Sequence, residues 1–330
     1  MATEFMMTLH RELTETKKVA ESTADAYLKT LTILNDKKPF KNLTFLKKTE
    51  DILTRVAEYA DSTQRAVLAT IVSVLSLHTE TPAKKRLHEL YREKMMGKVE
   101  ETKKADEGKE GQKTKKQTEN WVSWDEVKSK KEELAKEVDA SRSKKTLLVG
   151  DYEHLLSLVV LSLYTDIQPR RNQDYTEMMV VKQWKTDMPT THNYYDIKGK
   201  RFVFNKFKTA KTYGQQIVEL PPSLLATLTY YIKRHPLAKE VKTDYPLLVD
   251  AHGTPLTAVN AITRILNKLF GGKKVGSSML RHIFITEKYG GAKTEMERDA
   301  TAMAHSVAEQ QKVYNVPKEA SMESVSIPTI

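Results

Sequence analysis

Apolar residues recur at helical spacing through the first third of this chain. "ESTADAYLKTLTILN" sets Tyr27, Leu28, Leu31 and Leu34 on one face, with Ser22 and Thr23 as candidate N-caps. "NLTFLKKTEDILTRVAEYA" repeats the pattern with Leu46, Ile52, Leu53 and Val56, and "STQRAVLATIVSVLSLH" reads as a third, more buried helix. Residues 1–97 therefore predict a small helical bundle. The pattern stops at "KVEETKKADEGKEGQKTKKQTE" (98–119), where aromatics are absent and Val99 is the only large apolar residue. Such a segment buries too little surface to offset the entropy of ordering, so we expect a charged flexible linker. A solvated helix extension is the other reading of its mixed charge, and either one marks a domain boundary.

A second folded region opens at "NWVSWDEVKSKKEELAKEV". "HLLSLVVLSLY" (154–164) is apolar nearly all round and predicts a core helix. "RFVFNKF" and "QQIVEL" have the alternation and the β-branched or aromatic content of strands, with Gly214 in the turn between them. "PPSLLATLTYYIKRHP", "TAVNAITRILNKLF", "SSMLRHIFITEKYG" and "MAHSVAEQQKVY" all read as helices. The expected fold is mainly α: a helical N-terminal domain, then an α-rich domain with one small β-hairpin. No internal repeat is visible.

Composition narrows the class. The 330 residues exceed one small core and suffice for two domains. No window approaches the ~20 apolar residues of a membrane span, and "MATEFMMTLHRELTE" has no signal-peptide core. Neither a membrane nor secretion is expected. Cysteine is absent, which excludes disulfides, a catalytic thiol and Cys-based zinc sites. The formal charge of +11 favours polyanionic partners.

Four pieces of the second domain carry candidate chemistry: Arg170 and Arg171 in "QPRRNQDY", Lys208 and Lys211 in "FKTAKTYG", Arg281 and His282 in "SSMLRHIF", and the pair His305 and Tyr314. Taken singly, each has an ordinary structural explanation. The Arg281 helix is the hardest to dismiss, because a guanidinium among Met279, Leu280, Ile283 and Phe284 needs an anionic partner. Taken together, they form a kit for phosphoryl transfer. Fork-shaped guanidinium donors fit the non-bridging oxygens of a phosphodiester under attack. A lysine can protonate the departing oxygen, and a tyrosine can hold the phosphate covalently.

With these residues in order, the chain resembles the tyrosine recombinases, or phage-type integrases, over both domains and the segment between them. "PRRNQD" is similar to the family's first arginine box. Arg171 has Asp174 at the usual i+3 offset, while Arg170 sits better after the turn, and both stay open. "KTAKTYG" matches the hairpin lysine, with Lys211 first and Lys208 second. "SMLRHIFIT" matches the second arginine box and assigns Arg281. "MAHS" matches the histidine box and assigns His305, and Tyr314 stands at the family's distance beyond it as the nucleophile. One departure stands out: Ser278 occupies the first position of the His-x-x-Arg box. Serine donates a hydrogen bond but has no acid–base role near neutrality. His282 points about 100° away from Arg281 on the helix and is a poor substitute.

The resemblance implies a site-specific DNA recombinase that breaks and rejoins DNA through a 3′-phosphotyrosyl intermediate, without metal, nucleotide or other cofactor. It implies double-stranded DNA as partner, a homotetramer on two DNA sites, and a mobile element or integrating virus as context. The location is wherever DNA is: a prokaryotic cytoplasm, or the nucleus or viral factory of a eukaryotic host. The implied domains are a core-binding domain at 1–97, the 98–119 linker, a catalytic domain at 120–317 and a tail at 318–330; the tail is too short and polar to be a domain, and we expect it to dock on a neighbouring subunit. Two alternatives share these residues: a type IB topoisomerase-like enzyme, and a DNA-binding recombinase relative with weak or no turnover.

Overall fold

The computed structural model describes residues 2–107, 112–239, 244–258 and 260–303. The chain divides into two compact units, residues 1–112 and 113–330. Among the described residues it is mainly helical, with one small mixed sheet, and no helix is long and apolar enough to cross a membrane.

The first unit contains α1 (Glu4–Arg11), which runs on through a wider turn at Glu12–Thr16, then α2 (Glu21–Leu34), α3 (Thr49–Ala57), α4 (Asp61–Leu75) and α5 (Pro82–Asp106). Leu9, Leu13, Leu31, Leu46, Ile52, Ile71 and Tyr91 are fully buried at its centre, and Tyr27, Leu28 and Leu53 pack around them. The Tyr91 hydroxyl donates to the Leu46 carbonyl at 2.8 Å, satisfying both buried groups.

Two details differ from the sequence pattern. α2 begins at Glu21 behind Ala20, which gives no side-chain cap, so Ser22 and Thr23 lie inside the first turn rather than before it. α5 does not end at residue 97 but continues to Asp106, and α6 (Lys115–Asn120) forms in the same charged stretch. The flexible linker expected across 98–119 is therefore helical over 98–106. Charge pairs along one face sustain it, Lys98 with Glu101 at 2.8 Å and Lys104 with Glu100 at 3.2 Å. The solvated extension is what forms there.

The second unit continues from α6 with α7 (Trp124–Ala140) and α8 (Val149–Thr165). Ser123 caps α7 by accepting from the Glu126 N–H at 3.0 Å. As its all-round apolar sequence predicts, α8 is the central helix: Tyr152, Leu155, Leu156 and every residue from Leu158 to Tyr164 are buried. α9 (Gln173–Thr176) leads into β1 (Met178–Val181), followed by β2 (Asn193–Asp196), β3 (Arg201–Phe204), α10 (Ala210–Tyr213), β4 (Gln216–Glu219), α11 (Pro222–Arg234), β5 (Tyr245–Pro246), α12 (Ala261–Leu269) and α13 (Ser277–Ala302). The sheet order is β4-β3-β2-β1-β5. β1 and β2 are parallel and the other pairs antiparallel.

The expected hairpin is the β3–β4 pair, with Phe202 opposite Val218. It belongs to a larger sheet than the sequence suggests, and its connection carries the single turn α10, closed by Gly214 at φ +65°. α13 starts among core residues (Met279, Leu280, Ile283), while residues 285–289 and 291–295 along it are exposed.

Candidate active site

The chain leaves α8 and turns at Pro169, which puts Arg170 and Arg171 on a short loop ahead of α9. This loop, the β3–β4 connection and the first turns of α13 enclose an open hollow of about 210 Å³. Arg170, Arg171, Asp174, Phe207, Tyr213, Gln216 and Arg281 line it. Two guanidinium-bearing segments, distant in sequence, thus meet at one place.

The adjacent arginines have different environments. Arg170 is tied down by two bonds: Nε donates to Asp174 Oδ2 at 2.9 Å and Nη1 to Gln216 Oε1 at 2.7 Å. Its guanidinium also lies 3.9 Å from the centroid of the Phe204 ring and 4.9 Å from that of Phe207. With aromatic faces and a buried carboxylate holding it, Arg170 clips the loop to the sheet. Arg171 is half-buried and, among the described residues, makes no side-chain hydrogen bond or ion pair. Its guanidinium is available to a ligand. Of the two candidates for the first box, the geometry favours Arg171 as the anion-facing one. Asp174 pairs with Arg170 at i+4, not with Arg171 at the i+3 offset read from the sequence.

Arg281 approaches from α13, half-buried, with Nε shielded from solvent and without a hydrogen-bond partner among the described residues. No carboxylate among those residues forms an ion pair with it, so none of them supplies the anion its apolar helix calls for. Among the described residues, Asp174 is the one carboxylate lining the hollow. Burial raises its carboxyl from the ordinary value, outweighing the opposing pull of Arg170 and Arg171, and its Oδ1 has no hydrogen-bond partner among the described residues. Three guanidinium groups against one carboxyl leave the hollow electropositive.

The other sequence candidates are placed less closely. Lys208 and Lys211 are exposed in the β3–β4 connection, while Phe207, Thr209 and Tyr213 of that connection line the hollow and the two lysines do not. Ser278 and His282 are both exposed on α13, and neither lines the hollow. His305 and Tyr314, like the 318–330 tail, lie outside the described residues. The sequence pattern did not single out Gln216, Phe207 or Tyr213. Gln216 and Phe207 looked like ordinary strand residues, and Tyr213 like a turn residue beside Gly214; only the folded hairpin brings them to Arg170 and the hollow. No family model matches this chain, and neither does any curated protein or solved structure.

Proposed function

We propose that this chain is a DNA strand transferase of the tyrosine-recombinase type, in which Arg171 and Arg281 grip the scissile phosphate. Tyr314 attacks the phosphorus to form a 3′-phosphotyrosyl link and release a 5′-hydroxyl. Lys211 or Lys208 protonates the departing oxygen, and His305 binds the phosphate. Arg170 supports the arginine loop from behind. Reversal of the step by the same or a partner 5′-hydroxyl reseals the strand without nucleotide, because the phosphotyrosyl bond conserves the energy of the broken one. Double-stranded DNA is the substrate, and a homotetramer on two sites is the working form.

The observation that carries this reading is the meeting of Arg171 and Arg281, neither with an ion-pair partner among the described residues, at one electropositive hollow. Preorganised donors of this kind are the main catalytic term in phosphoryl transfer. The charge distribution supports the same partner: residues 1–112 hold 20 Lys+Arg against 18 Asp+Glu, whereas residues 113–330 hold 34 against 25. The basic excess sits in the unit with the hollow, where counterion release from DNA strengthens binding.

The test uses a pool of duplex oligonucleotides randomised around a nick, so that a short cleaved fragment diffuses away and the adduct is trapped. Wild type and Tyr213→Phe are expected to form SDS-resistant adducts; Tyr314→Phe, Arg171→Ala and Arg281→Ala are not. Absence of any adduct with wild type, or its persistence in Tyr314→Phe, overturns the proposal. A second reading, a DNA-binding relative without turnover, draws on the exposed Ser278 in the histidine position. Duplex binding by wild type with no adduct across the pool selects that one.

A further inference from the structure

Beneath the two free arginines lies a buried phenol that the strand-transfer chemistry does not use. Tyr164, at the end of α8, is wholly shielded from solvent. Its hydroxyl donates to the Asn172 side-chain oxygen at 2.8 Å, and the Asn172 amide donates on to the Thr263 hydroxyl of α12 at 2.9 Å. The charge of Arg281, on α13, acts on the same phenol. Asn172 directly follows Arg171. A Cβ added at Gly276, the residue before α13, would lie 3.5 Å from Thr263, so α12 and the start of α13 abut here. One hydroxyl is therefore bonded to the segment carrying Arg171, and its relay runs on to Thr263 of α12, which abuts the start of the helix carrying Arg281.

We propose that Tyr164 is a positioning residue for the arginine pair: its hydroxyl, through Asn172 and Thr263, fixes the separation of Arg171 and Arg281 around a bound phosphodiester. The ring alone does not require this hydroxyl. It packs edge-on against Tyr175 with centroids 5.8 Å apart, and phenylalanine would fill the same space. Burying a hydroxyl is unfavourable unless it is bonded, and here its bond to Asn172 leads through Thr263 to the elements that must stay in register.

This inference rests on the strand-transfer reading, and its test separates the two. Duplexes that wild type cleaves are recovered from the nicked pool, and adduct formation is timed with full-length Tyr164→Phe and Thr263→Val. Tyr164→Phe is expected to bind the duplex with unchanged Kd and to melt within a few degrees of wild type. Its adduct should form about 10- to 100-fold more slowly, the range expected when a catalytic group is displaced by around an ångström. Thr263→Val, which keeps the Tyr164–Asn172 bond, should fall between the two. A wild-type rate in Tyr164→Phe overturns the proposal, as does a loss of rate that only follows losses in Kd and melting temperature. If wild type makes no adduct at all, the functional reading falls, and inorganic phosphate becomes the probe. Arginine Nε–H resonances of Arg171 and Arg281 are then followed during titration. Weaker phosphate binding in Tyr164→Phe with both arginines affected upholds the positioning role, and identical titrations overturn it.

Discussion

Replacing each of the adjacent arginines by alanine should give opposite phenotypes. The Arg170 side chain is 17% exposed and Asp174 only 3%, and they meet at 2.9 Å. Arg170→Ala removes the guanidinium from Asp174, Gln216 and the Phe204 ring together, leaving a buried carboxyl uncompensated. Breaking a buried pair from one side costs about 3–5 kcal/mol. Protonation of Asp174, whose carboxyl burial already raises, pulls the figure to the lower end, about 3 kcal/mol. For a unit of this size that is a fall of about 6–12 °C in Tm. The sign with pH is fixed: the unpaired Asp174 titrates higher in the folded than in the unfolded chain. The penalty is therefore greatest at neutral pH and shrinks as pH falls towards the ordinary carboxylate range.

Arg171→Ala removes no hydrogen bond or ion pair seen among the described residues and should change stability by less than about 0.5 kcal/mol. It should, however, lower the slope of log K for DNA against log salt by about 0.9 and abolish adduct formation. Calorimetric melts at two pH values and salt-series binding on the same preparations measure both effects. A several-degree fall in Arg171→Ala beside a wild-type melt in Arg170→Ala would refute the division of roles.

Further expectations follow from other parts of the molecule. His235 is buried, with Nε2 3.2 Å from the Leu247 carbonyl oxygen and Nδ1 accepting from the Leu237 N–H at 3.2 Å, and desolvation lowers it from 6.5 to about 4. The unfolded chain takes up this proton first, so stability should fall as pH drops from 6.5 towards 4, by about 3 kcal/mol in total. Denaturant titrations of His235→Gln should lack that part of the acid slope, and an unchanged slope would contradict the assignment. Gly290 and Gly291 lie mid-helix in α13, and a Cβ would meet only Thr286 at 3.7 Å for the first and nothing within 4 Å for the second. Alanine at each should stabilise by about 0.5–1 kcal/mol and deepen the negative ellipticity at 222 nm; a loss of helicity would mean that the helix breaks there. Tyr91→Phe leaves the buried Leu46 carbonyl without its donor and should cost about 1–2 kcal/mol in urea unfolding, whereas a neutral result would show that the bond contributes little.

How much of this fold the pattern revealed depended on the element. α8 was legible because its sequence is apolar all round, β4 because its residues alternate, and β3 from its aromatic and β-branched content, since Phe202, Val203 and Phe204 are all buried. β1 and β2 were not. "MMVV" and "NYYD" are four residues long and nearly or wholly buried, so they lack the alternation of a half-exposed strand, and β5 is only two residues. The helical course of 98–106 lost out to composition, because the charge pairs that sustain it look the same on paper as a solvated coil. The arginines themselves were visible as a set, but which of Arg170 and Arg171 faces outward was not. That choice rests on Asp174 being buried and on the Phe204 ring lying under one guanidinium, both of which depend on β3 sitting beside α9. The path from Tyr164 to Thr263 spans about a hundred residues and leaves no local trace.

The most direct test is to identify which residue carries DNA after cleavage. Wild-type adduct from the nicked pool is digested with trypsin and nuclease, and the nucleotide-bearing peptide is sequenced by mass spectrometry. The account predicts the linkage at Tyr314, within residues 313–318 between Lys312 and Lys318. A linkage at Tyr213 or at any other residue would contradict it.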